Sequence, residues 1–142
     1  MSPRTMLGFV VGLIFVYFSA NYFYGSNIDK KLLQTADEMN KNCPMMIDHD
    51  TQLDNTIAGP GKLLTYNYTL VNYTGAELDL VGMEKNMTTY LITYVKNHKE
   101  MKSLRKAGVI FKYIYKDKNG IFLFEITVGP NEYSSGTVEK SI

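Results

Sequence analysis

The chain has 142 residues, of which 45% are hydrophobic, with 15 Lys and Arg against 14 Asp and Glu. That balance supplies no field to draw in nucleic acid or an anionic bilayer surface. A single cysteine, Cys43, excludes an internal disulfide framework, so the fold must hold by packing alone.

From Met6 to Tyr24 the chain runs for nineteen residues without a charge. At about 1.5 Å per residue such a helix spans roughly 28 Å, close to the hydrocarbon thickness of a bilayer. A cleaved signal peptide is the rival reading, but cutting after Ala20 or Gly25 puts Phe18 or Phe23 where a small residue is needed. Tyr17, Tyr22, Phe23 and Tyr24 sit where an interfacial aromatic belt would be. The expectation is a retained single-pass anchor in the lipid bilayer, with the tail of residues 1–5 in the cytoplasm and the rest extracytoplasmic, in the periplasm. Arg4 against Lys30 and Lys31 gives that orientation only a small charge bias. Gly8 and Gly12 form a small-xxx-small pair through which two such helices could approach as a homodimer.

About 115 residues follow the anchor, enough for one domain with one core. Ile28, Leu32, Leu33, Ala36 and Met39 fall at helical spacings, which reads as an amphipathic stalk over 25–43 ended by Pro44. An α+β domain is then expected over 44–133. Gly59-Pro60-Gly61 marks a bend between two extended stretches, and Leu64, Tyr66, Tyr68 and Leu70 alternate with polar residues as in a half-buried strand. The period then changes: Met83, Met87, Tyr90, Leu91, Tyr94 and Val95 recur at three and four, the pattern of a helix laying one face on a core, with Asp79 as its N-cap. Asn97 and Glu100 resemble a second capping box, opening a short helix that buries Met101 and Leu104 and stops at Gly108.

Val109 to Val128 reads as a hairpin about a two-residue type I′ turn at Asn119-Gly120. That register pairs Tyr115 with Phe124, Tyr113 with Ile126 and Phe111 with Val128 on one face. The other face pairs Lys112 with Thr127, Ile114 with Glu125 and Lys116 with Leu123. Beyond Pro130 the composition reads as disordered, with a flexible tail over 134–142. The sum is an antiparallel sheet of about four strands in the order β-β-α-α-β-β, with helices on one face.

Few residues could carry chemistry. Cys43, Met46 and His49 stand three apart, and thiolate, thioether and imidazole suit a soft ion such as Cu(I); a buried structural thiol and ordinary core methionines are the plainer reading. Asp48, Asp50 and Asp54 resemble a calcium loop, but Leu53 occupies the position that needs glycine and Gly59 that of the bidentate glutamate. These carboxylates would more simply accept backbone N–H groups in turns. No serine or cysteine lies in a nucleophile context and no carboxylate pair can be singled out, so neither an enzyme nor a cofactor is expected. Tyr66, Tyr68, Tyr113 and Tyr115 fall on the inner faces, where a ring-lined cleft between sheet and helix could hold a small ligand or peptide.

Through Cys43-Pro44-Met45-Met46-Ile47-Asp48, Thr51, Leu53, Asp54, Tyr66-Asn67-Tyr68-Thr69-Leu70 and Tyr113 to Asp117, the chain resembles a group of short bacterial proteins of unknown function. The resemblance covers about Cys43 to Tyr133, usually behind a membrane anchor or export signal. It implies a bacterial, envelope-facing domain and lends no catalytic role to any residue. The functional expectation is therefore a protein-interaction or scaffold module for another envelope protein; the alternative is a small-ligand or metal-binding envelope domain.

Overall fold

The computed structural model describes residues 27–135. The anchor over 6–24, its Gly8 and Gly12 pair, the tail of 1–5 and residues 136–142 lie outside them. In chain order come helix α1 (Asn27–Asn40), strands β1 (Met45–Met46), β2 (Thr51–Gly59) and β3 (Leu63–Leu70), and helix α2 (Leu80–Asn97). The short helix α3 (Lys102–Lys106), strands β4 (Ile110–Lys116) and β5 (Phe122–Val128), and a last turn of helix α4 (Pro130–Ser134) follow. Among the described residues no helix is long and apolar enough to cross a membrane.

The α+β architecture is as expected, but the sheet has five strands, in the order β1-β2-β3-β4-β5, and is not wholly antiparallel. Its central pair, β3 and β4, is parallel. The cause is the helical stretch between them: α2 carries the chain back along the sheet, so β4 starts beside the start of β3, with Leu63 against Ile110.

Period-two alternation then builds three apolar rows across one face. Ala58, Leu64, Phe111 and Val128 form the first; Thr56, Tyr66, Tyr113 and Ile126 the second; Leu53, Tyr68, Tyr115 and Phe124 the third. Keeping Leu53 and Thr56 on the same face requires one extra residue, and a bulge between Leu53 and Asn55 supplies it. The opposite face carries Thr65, Asn67, Lys112, Lys116 and Glu125, which remain partly or fully in solvent.

The β4–β5 register matches the expected one from Phe111 opposite Val128 to Tyr115 opposite Phe124. The turn differs. Asn119 does not take the positive φ that a type I′ turn demands; Gly120 alone does, at +78°. Gly120 N–H donates to Asp117 O and Asp117 N–H to Ile121 O, a tight turn with a one-residue bulge that pairs Lys116 with Phe122 instead of Leu123. The buried Asp117 carboxylate decides this geometry, accepting the N–H groups of Asn119 and Ile121 on one oxygen.

Two further expectations are corrected. Residues 27–40 form no stalk: Leu32 and Ala36, one turn apart, are buried against the sheet, and α1 packs on β2. Asn40 holds its end there, accepting Thr56 N–H at 2.7 Å and donating to Thr56 O at 2.8 Å. Asp29 accepts the N–H of Lys62 at the other end. Nor is the chain disordered from Pro130, since α4 brings Tyr133 into the core, where its hydroxyl donates to Val109 O. Asp79 caps α2 through Gly82 N–H as expected, and Met101 and Leu104 are buried before the chain turns at Gly108 with φ +76°. His98, not Asn97, caps that second helical stretch.

Leu32→Ala should lower the free energy of unfolding by about 2–5 kcal/mol with the transition still single, as measured by urea denaturation. An unchanged midpoint is what a detached stalk would give.

Candidate functional site

The site follows from how two helices divide one sheet. Helix α1 lies on β2 and α2 on β5. Those strands are three steps apart, roughly 14 Å at about 4.8 Å per step, whereas packed helices approach to about 8–10 Å. The helices therefore stand apart, and the strip of sheet between them, over β3 and β4, is the floor of a cleft of about 1050 Å³.

Four phenol rings pave that floor. Tyr66 stacks on Tyr113 and Tyr68 on Tyr115, each pair with ring centroids 5.1 Å apart, and Tyr115 continues to Phe124 at 4.8 Å. Cross-strand stacking of this kind adds about 0.5–1.5 kcal/mol per pair beyond burial. Burial raises the pKa of all four tyrosines, with a smaller push from neighbouring phenols. The hydroxyl of Tyr113 is fully enclosed and has no hydrogen-bond partner among the described residues.

The walls are soft. Met39 projects from α1, Met83, Met87, Tyr90 and Tyr94 from α2, and Met45 from the β1 edge. Tyr90 remains 60% exposed, and Met45, Ile47 and Tyr73 around the same cleft are also exposed. The helical stripe expected to lie on a core is thus divided: Leu91 and Val95 are buried in it, Met83, Met87 and Tyr94 pack against it part-buried while also lining the cleft, and Tyr90 stands exposed. The sequence carried one sign of this, since those positions hold thioethers and phenols where a sealed core would favour Leu, Ile and Val.

The expected metal candidates are distributed otherwise. Asp48 accepts N–H groups of Asp50 and Thr51, the turn role its type allows. Asp50 accepts the Asn72 amide at 2.6 Å and meets His49 Nδ1 at 3.2 Å; these hydrogen bonds, Asn72 first, hold its carboxyl below the usual range. Cys43 is half-buried, its thiol directed at Met39 O and its pKa raised by burial. Met46 is exposed on the edge strand. Among the described residues no group of three or more His, Cys, Asp or Glu could hold a metal ion.

Fold and cleft together define a small α+β domain with two helices astride one sheet face. The chain belongs to the family described as a domain of unknown function, DUF8479, which matches residues 26–124. No curated protein sequence matches it. Three solved structures share the fold. One is PA3611 of Pseudomonas aeruginosa, described as a secreted protein, with a TM-score of 0.60 at 13% identity over 77% of this chain and 98% of that one. The pilotin EpsS of the Vibrio vulnificus type 2 secretion system gives 0.59 at 7% identity, over 75% and 91%. The type II secretion pilotin AspS of Vibrio cholerae gives 0.57 at 12% identity, over 75% and 92%.

Two measurements check this geometry. Phenols whose folded pKa lies above the unfolded value of about 10 hold protons more tightly in the folded state, so the stability they contribute is complete below that pH and is lost as pH rises above it. Spectrophotometric titration should show these tyrosines ionising only together with unfolding. Tyr113→Phe should be neutral or stabilising by up to about 1 kcal/mol, whereas Tyr133→Phe, which removes a made hydrogen bond, should cost about 1 kcal/mol in the same urea assay.

Proposed function

We propose that this protein is an envelope interaction module, held at the membrane by the segment over 6–24, whose cleft receives an amphipathic helix of another envelope protein. The observation that carries the reading is the cleft itself, apolar along its length and open between α1 and α2. A helix-in-groove contact needs a trough that accepts side chains at i, i+3, i+4 and i+7, and Met83 to Tyr94 offers a wall of about 16 Å, some three helical turns. Methionine walls repack around different side chains at low cost, as suits a protein-binding surface.

Exposed apolar residues gathered round one opening mark an interaction site more strongly than scattered ones. The extracytoplasmic, periplasmic placement is part of the same proposal. It is supported by the apolar leader, by the likeness to short exported bacterial proteins, and by a fold shared with a protein described as secreted and with two secretion-system pilotins. The small-ligand reading fits less well: about 1050 Å³ lies at the upper end of small-molecule sites, and the cleft is open along its side and not closed round a ligand.

A photocrosslinking residue placed at Met87 or Tyr90 in intact cells should give a discrete adduct with an envelope protein, while one at Leu33, exposed elsewhere on α1, should not. Met87→Lys should weaken that association at least about tenfold, with the chain still unfolding in a single transition. No adduct from any cleft position would overturn the proposal.

A further inference from the structure

The charges around the cleft are one-sided. Asp48, Asp50 and Glu100 line it, and among the described residues no Lys or Arg does, although the chain as a whole carries 15 basic residues against 14 acidic ones. The acids also sit at opposite ends. Asp48 and Asp50 lie in the turn between β1 and β2, where Asp50 O accepts Val71 N–H just past the end of β3. Glu100 lies beyond the C-terminus of α2, which runs back to the opposite end of that strand.

Neither Asp48 nor Glu100 has an ion-pair partner among the described residues; Asp50 meets only His49. Asp48 is held in position by the two backbone N–H groups it accepts, and Asp50 by Asn72. Walls of low dielectric around charges of one sign focus the field along the opening.

We infer that the occupant of the cleft is a cationic amphipathic helix, with about three turns of apolar face on the tyrosine floor and Lys or Arg at both ends facing Asp48 and Asp50 on one side and Glu100 on the other. The inference rests on the docking reading and specifies its partner. Apolar contact supplies most of the affinity, while the end charges select the partner and speed its encounter. An acidic helix of equal hydrophobicity meets like charge at each end and is rejected.

Two fluorescent helical peptides of about 18 residues, long enough to hold helix, test this. They share one Leu, Met and Phe face and differ only in Lys or Glu at both ends. Binding is measured by anisotropy to the full chain in phosphatidylcholine nanodiscs, against empty nanodiscs. The Lys peptide should bind about tenfold or more tighter than the Glu peptide, with the difference shrinking toward unity in about 1 M NaCl. The triple variant Asp48→Asn, Asp50→Asn, Glu100→Gln keeps the acceptor oxygens and should abolish the preference at an unchanged thermal midpoint. Equal binding of both peptides, blocked by Met87→Lys, would overturn the charge inference and leave the docking reading standing. A preference untouched by the triple variant would also overturn the inference, and binding of neither peptide would overturn both.

Discussion

The spacing of two helices on one sheet governs this structure. A helix on β2 and another on β5 cannot touch, because three inter-strand steps exceed the distance at which helices pack. Something other than helix contact must fill the middle of the layer. Tyrosine does so from below, its ring long enough to cover the backbone of β3 and β4 and stack on its neighbour across the parallel pair. Methionine does so from the sides. What these side chains leave unfilled is the cleft.

Phenols suit that place for a reason Leu would not satisfy. A stack of flat rings buries large apolar area while resisting collapse into the space above it, since each ring is held by the next. The arrangement has a cost in polar satisfaction, visible at the enclosed hydroxyl of Tyr113. A sheet evolved only for stability would place hydrocarbon there. Four tyrosines under an opening suit the contact surface proposed above.

How much of this could be read from the chain depended on whether the deciding interaction was local. The β4–β5 register was legible because alternation and charge segregation agree along Phe111 to Val128, and a one-residue slip would bury lysines. The inward set of Tyr66, Tyr68, Tyr113 and Tyr115 followed from the same period. The turn was misread because the Asp117 side chain, not the Asn-Gly pair, chooses the backbone path there. The place of α1 was not legible: Leu32 and Ala36 show an apolar stripe but not what it rests on, and the clamp by Asn40 on Thr56 spans sixteen residues. The parallel pair was equally hidden, since strand order depends on where a helix returns the chain. A ring-lined cleft between sheet and helix was legible from the inward tyrosines, but its extent was not, because the periodicity of Met83 to Val95 is that of a buried face and only the course of both helices shows that much of it lines the opening.

The double hydrogen bond of Asn40 to Thr56, with Asp29 on Lys62 at the far end, has a mechanical consequence. It makes α1 the fixed jaw of the molecule, unable to roll without breaking main-chain contacts at both extremities. In the proposed docking, accommodation of differently shaped guests would fall to torsions of thioether side chains along the facing jaw, so selection by shape would be lenient and discrimination would pass to whatever stands at the mouth's two corners.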